Sequence, residues 1–287
     1  GVVLAGAPAA GDAVPGAASV WGQLFGSWGR TDGNVNNAAL ARNSYGFVGG
    51  IDREIGDGLQ AGVAFGYSRG SYDVRGLASS GDSDNFHIAG YAGRQFGQAH
   101  VKGALSYSYG HTEAQRNVVV GGVTSDLSAS YGAHTFQASI DAGYDLDLGP
   151  VVLTPFAGLA AIHVETEGFT ETGGPAALTF AAQGNTTGVS TLGLRARRQA
   201  GSVGMTGSLA WRHAFGDVEP ASRAAFASAP ANPFTVRGAP IAENTLALET
   251  AVDLRLADRT TLTFGYAGEY ASDARDHGLR AELRFEF

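Results

Sequence analysis

Residues Leu279–Phe287 read L-R-A-E-L-R-F-E-F, an alternation so strict that it suits an extended strand with one oily and one charged face. Leu279, Ala281, Leu283, Phe285 and Phe287 fall on one side and Arg280, Glu282, Arg284 and Glu286 on the other, because successive side chains of a strand point to opposite faces. A half-buried soluble sheet can show the same pattern. A stretch that stops on an aromatic, with no tail beyond it, is instead how the closing strand of an outer-membrane barrel would look, with apolar residues toward lipid and charges toward a wet interior.

Six other segments repeat the pattern, at 59–68, 101–110, 136–146, 205–212, 246–256 and 261–270. Each is close to the ~10 residues that a tilted strand needs to cross a bilayer. Five more, near 20–30, 45–54, 85–96, 151–165 and 187–198, are strand-like with less decided faces, and in 151–165 both faces are apolar. The total is twelve, and an even count suits a single-chain bacterial barrel. Connections give a second, independent pattern. Gly56-Asp57-Gly58, Gly97-Gln98, Leu148-Gly149-Pro150, Ala200-Gly201 and Ala257-Asp258 are short and rich in turn formers. Between them lie long polar stretches near 31–44, 74–84, 112–134, 166–186 and 216–244, and a shorter one near 272–276. Short and long alternate along the chain, as periplasmic turns and surface loops do.

The charged face carries the candidate pore-lining residues Lys102, Asp141, Arg212, Glu249, Asp253, Glu269, Arg280, Glu282 and Arg284. At mid-bilayer each Arg or Lys on the lipid side would cost ~2–4 kcal/mol, so this face is expected inside. Among the 287 residues, 43 are Gly and only 9 are Pro, which excludes a disordered Pro/Gly tract. No stretch of ~20 apolar residues offers a membrane helix, and the mean hydropathy of -0.03 is that of a soluble protein. Barrel strands escape both tests, because every second residue can be polar. Without cysteine there is no disulfide scaffold and no thiolate metal site. A net charge of -8 with no basic block argues against nucleic acid. Residues 1–19 lack a basic n-region and are broken by Gly and Pro, so they do not read as a signal peptide and the chain reads as a portion of something longer.

From about Val20 to Phe287 the chain resembles the translocator domain of type V autotransporters. The resemblance rests on ordered pieces: Trp21-Gly22-Gln23-Leu24-Phe25-Gly26, Gly49-Gly50-Ile51-Asp52-Arg53, Pro155-Phe156-Ala157-Gly158-Leu159, Trp211-Arg212-His213, Phe264-Gly265-Tyr266-Ala267-Gly268-Glu269-Tyr270 and Arg284-Phe285-Glu286-Phe287. It implies an all-β fold, a twelve-stranded antiparallel transmembrane β-barrel integral to the bacterial outer membrane. Residues 20–287 would form the barrel, and 1–19 a linker or pore-entering segment. The implied role is to secrete a passenger fused at the N-terminus and anchor it at the cell surface, with loops facing outward; the alternative is a stand-alone pore or surface adhesion barrel. Implied partners are outer-membrane lipid and lipopolysaccharide, the barrel-assembly machinery with periplasmic chaperones, and the chain's own passenger; the barrel itself would be a monomer. Leu283, Phe285 and Phe287 would form the assembly signal. Relatives thread a helix through the pore, but Gly1–Ser19 is a poor helix former. Either that helix lies upstream or a non-helical segment fills the bore.

No catalytic, cofactor-binding or metal residue is assigned. Gly81-Asp82-Ser83 resembles an esterase nucleophile block only faintly and reads as a surface loop. His87, His111, His134, His163 and His213 are scattered, without an evident Ser partner or metal-ligand spacing. Some family members cut their passenger inside the barrel; Asp52, Asp141, Glu249, Glu269 and Glu282 could line such a site, yet no Asn precedes Asn34. Luminal salt bridging is the plainer reading. Trp28, Tyr45, Tyr67, Tyr107, Trp211 and Tyr270 are candidate interface aromatics.

Overall fold

The computed structural model describes residues 18–33, 38–74, 78–120 and 122–287, and these contain no helix. Twelve strands make the wall: β1 (Ala18–Thr31), β2 (Leu40–Glu54), β3 (Leu59–Val74), β4 (Ser79–Phe96), β5 (Ala99–Val120), β6 (Val123–Tyr144), β7 (Val152–Thr166), β8 (Gln183–Ala200), β9 (Val203–Gly216), β10 (Asn244–Ala257), β11 (Thr260–Tyr270) and β12 (Ala274–Glu286). Each pairs antiparallel with its sequence neighbours, and β1 pairs with β12 from Ser19↔Glu286 to Thr31↔Ala274. The sheet is therefore closed, and no barrel strand leaves an unpaired edge.

Exposure alternates along every strand with the sequence pattern. Leu105 is 68% exposed and Ile140 53%, while their partners in alternation, Lys102 and Asp141, turn the other way. Such a row of bare apolar side chains is stable only against another apolar phase. The strand with two oily faces resolves plainly: Leu153, Pro155 and Leu159 point out, and Phe156, Ile162 and Val164 point in. Short turns join β2–β3, β4–β5, β6–β7, β8–β9 and β10–β11. Gly97 and Gly201, both at φ 62°, supply the left-handed residue that these tight reversals need.

Several boundaries differ from those expected. β1 begins at Ala18, so Ala18 and Ser19 are strand rather than linker; the rest of the expected pore-entering segment, 1–17, lies outside the described residues. β5 and β6 run through the stretch read as a polar connection at 112–134, and β4 takes in most of that at 74–84, including Gly81-Asp82-Ser83. Toward the long-loop end the outward residues of β5 turn polar, and His111, Glu113, Gln115 and Asn117 erase the oily half of the alternation. The connections at 166–186 and 216–244 also carry structure. Phe169–Thr170, Leu178–Phe180, Ala221–Phe226 and Phe234–Arg237 form a second, four-stranded sheet.

Candidate functional site

The nine residues expected to line the pore all lie on the less exposed face of their strands, gathered with their neighbours into groups along the wall. Near the short-turn end, Asp52 of β2 is 4% exposed. It accepts hydrogen bonds from Ser19 (2.6 Å), Gln60 (2.7 Å), Tyr91 (2.9 Å) and Arg284 (3.1 Å). Trp21 Nε1 donates to Tyr91 Oη at 2.8 Å, and Arg284 also lies 3.5 Å from Glu282. Five strands, β12 and β1 to β4, thus meet in one polar knot. Glycine makes the room for it. Gly50 faces Trp21 and Gly62 faces Tyr91 in register. A Cβ at either position would come within 2.6 Å of the ring laid over it.

On the facing arc, Lys102 and Asp141 are cross-strand partners. Beside them Asp145 accepts from Thr154 at 2.6 Å and pairs with Arg197 at 3.5 Å, while the Arg195 guanidinium lies 4.6 Å above the Phe156 ring. Further toward the long-loop end Arg212 bridges Glu249 (3.2 Å) and Glu269. Asp253 accepts from Thr263 at 2.6 Å, and Arg280 lies over Gly265. Arg42 reaches across β1 to grip Asp276 at 3.0 and 2.5 Å. The interior thus carries both signs of charge within hydrogen-bonding reach.

Sequence reasoning missed Ser19, Trp21, Gln60, Tyr91, Arg195 and Arg197 as members of these groups. The signal for the two aromatics was present, since each stands opposite a glycine, but it needs the register. The candidate interface aromatics Trp28, Tyr45, Tyr67, Tyr107, Trp211 and Tyr270 all lie on the outer face. The expectation that no histidine has a serine partner is corrected. His87 bonds Ser68 at 2.9 Å and Ser108 at 2.7 Å, and His111 bonds Ser130 at 3.1 Å. Ser68 is 2% exposed, closed off from any substrate, so this chain of bonds joins β3, β4 and β5 rather than acting as a nucleophile. Among the described residues no group of three or more His, Asp or Glu side chains could hold a metal ion.

At the long-loop end the small sheet packs on the inward side of the β5–β6 hairpin. Tyr131 and Phe169 stack at 4.3 Å, Phe169 and Phe180 at 4.7 Å, and Ser128 and Thr172 exchange backbone hydrogen bonds of 3.0 and 2.9 Å. Leu127 of β6 and Leu178, Ala224 and Ala225 of the small sheet itself are buried. The tether is Glu171, which accepts from Arg116 at 3.0 and 2.5 Å and from the Leu178 N–H at 2.9 Å. Glu171→Ala leaves the Arg116 guanidinium with only the Ala176 carbonyl, 3.3 Å away, and the Leu178 N–H without its acceptor. Trypsin cleavage after Arg223 is then expected to speed up about tenfold while the barrel stays intact; unchanged protection would show that the apolar contacts suffice.

A closed barrel of twelve strands with an oily exterior and a charged interior defines an outer-membrane type of β-barrel. A family model described as the autotransporter beta-domain matches residues 20–267. The chain belongs to this family. It is 34% identical over 272 residues to an extracellular serine protease of Serratia marcescens, covering 93% of this chain but 26% of that protein. The chain thus spans about a quarter of the length of the curated relatives it matches. Among solved structures, the translocator domain of autotransporter NalP from Neisseria meningitidis matches with TM-score 0.80 at 14% identity, covering 97% of this chain and 91% of that one. The transport unit of the autotransporter AIDA-I from Escherichia coli matches with TM-score 0.67 at 13% identity over 94% and 90%. At such identities these likenesses speak for the fold alone. The family and the barrel together indicate an outer-membrane β-barrel with a transport role rather than a catalytic one.

Proposed function

We propose that this chain is the translocator that carries an N-terminally fused passenger through the outer membrane and then anchors it. In this reading the short turns face the periplasm, the long loops face the cell surface, and residues preceding β1 lead into the bore. The single observation that carries it is the closure of a family barrel around a two-signed polar interior, with β1 starting at the short-turn end. A chain emerging there stands at the mouth of an aqueous passage. Twelve strands lie between eight, which side chains can fill, and sixteen, which leave an open channel, so the bore suits a helix or an extended segment. No ATP is available at that membrane, and folding of the passenger outside would supply the directionality. An extracellular protease activity of the kind for which the relatives are described would belong to the part of the protein beyond this barrel.

The test uses the absence of native cysteine. A reporter with one cysteine is fused upstream of Gly1, and Ser228→Cys marks the loop between β9 and β10. A membrane-impermeant maleimide should label both on intact cells. A reporter that stays periplasmic beneath an assembled, heat-modifiable barrel would refute secretion, and a Ser228→Cys site reached only after lysis would refute the orientation.

A further inference from the structure

Lys102 is the only lysine of the chain, and it stands on the bore wall close to the start of β5 at Ala99. Among the described residues its ammonium makes no ion pair and no side-chain hydrogen bond. Asp141 is directly across from it in register, yet Asp141 Oδ1 is itself buried without a hydrogen-bond partner. Arg195 of β8 forms no ion pair among the described residues either, and its guanidinium rests on the Phe156 ring. Of the charges that act on Lys102, that of Arg195 is the strongest, ahead of Asp141, Arg197 and Asp145. Asp145 is already engaged by Thr154, by Arg197 and, at 3.9 Å, by His100. Lys102, Arg195 and Arg197 thus face only Asp141 and Asp145, and the group is one negative charge short of balance. Two cations held side by side repel each other, and a carboxylate between them would turn that cost into two charge-assisted contacts.

The chain carries a candidate for that carboxylate. Asp12, which lies outside the described residues, is the one charged side chain in residues 1–17, where Gly, Ala, Val, Leu and Pro make up the rest. The register brings the start of β1 level with Lys102. Ala18 pairs with Arg53, Arg53 with Ala61, Ala61 with Ala92, and Ala92 with Gly103, the residue after Lys102. Four strand spacings of about 4.8 Å separate Ala18 from Gly103, about 19 Å along the wall and less across the bore. The six residues from Asp12 to Ala18 can span up to about 20 Å. An aspartate six residues ahead of β1 therefore reaches this arc of the wall.

We propose that Lys102 and Arg195 form a carboxylate seat on the bore wall, and that Asp12 fills it and latches the segment ahead of β1 inside the passage. This rests on the reading above that the residues preceding β1 lead into the bore. The latch supplies the missing negative charge, holds the segment against β5 to β8 rather than against the Asp52 knot, and narrows the passage to small ions.

The test is cross-linking within the purified full chain, which has no native cysteine. Ala13→Cys is combined with Ala104→Cys, on the inner face of β5 beside the seat, or with Ala251→Cys, on the inner face of β10 across the bore. A short bismaleimide should bridge the first pair at least about tenfold faster than the second, read by intact mass and peptide mapping. Adding Asp12→Asn, or Lys102→Gln/Arg195→Gln, should slow the first pair about tenfold, while Arg195→Lys should keep most of the rate. Equal bridging of the two pairs would overturn the seat. So would a rate unmoved by Asp12→Asn in chains that keep their heat-modifiable mobility. Bridging to neither wall position would instead refute the underlying reading that the segment enters the bore. In planar bilayers Asp12→Asn should lengthen open-channel time about tenfold, and an unchanged current would overturn the closing role.

Discussion

Replacing Asp52 with alanine is expected to destabilise the barrel by about 3–5 kcal/mol, the penalty for removing one partner of a buried pair. The Asp52 side chain is 1% exposed and that of Arg284 14%. Alanine would leave a guanidinium with only Ser19 and a distant Glu282 as partners, and would strip acceptors from Gln60 and Tyr91. Reversible urea unfolding from lipid vesicles measures the loss. Adding Arg284→Met to Asp52→Ala should recover part of it, because the stranded charge is gone. A loss below about 1 kcal/mol, or strict additivity of the two substitutions, would mean that water reaches the knot and screens it.

A second large effect is expected at the closing strand. Leu283, Phe285 and Phe287 are 36%, 44% and 68% exposed on the outer face, and the Phe287 backbone exchanges hydrogen bonds of 2.9 and 3.1 Å with Ala18. Converting the three side chains to serine is expected to lower the yield of assembled barrel about tenfold or more, since each apolar side chain contributes roughly 1.5–3 kcal/mol when taken from water. The control is Leu246→Ser/Leu248→Ser/Val252→Ser on β10, a similar loss of oily surface elsewhere on the wall. Quantifying heat-modifiable species in isolated membranes separates the two. If both triple variants fall equally, the terminal strand carries no special message, and only total oiliness matters.

Most of the wall was legible before any coordinates, because a lipid-facing strand must alternate and its turns must be built from turn formers. Lys102, Asp141 and Glu282 could be turned inward from that alternation alone. Where the outside phase is water the rule lapses, which is why His111 to Asn117 read as loop although they continue β5. The face of β7 was undecidable for the opposite reason. Phe156 is an oily residue that points inward because Gly193 of β8 leaves space for its ring and Arg195 covers it. That requires knowing which residues stand side by side on different strands. The small sheet of the long connections was invisible on the same ground, since Leu178–Phe180 finds its partner Ala221–Phe226 only across the two barrel strands β8 and β9 that separate them in sequence.

The pairing of β1 with β12 sets the manner in which this molecule comes apart. A ribbon sheet can peel from its margin one rung at a time, but a hoop offers no margin. The thirteen rungs from Ser19↔Glu286 to Thr31↔Ala274 must give way nearly together before any stave comes loose. Persistence in harsh surfactant is therefore governed by the height of that single barrier rather than by the depth of the native well, and cold samples should outlast heated ones by far more than their equilibrium constants differ.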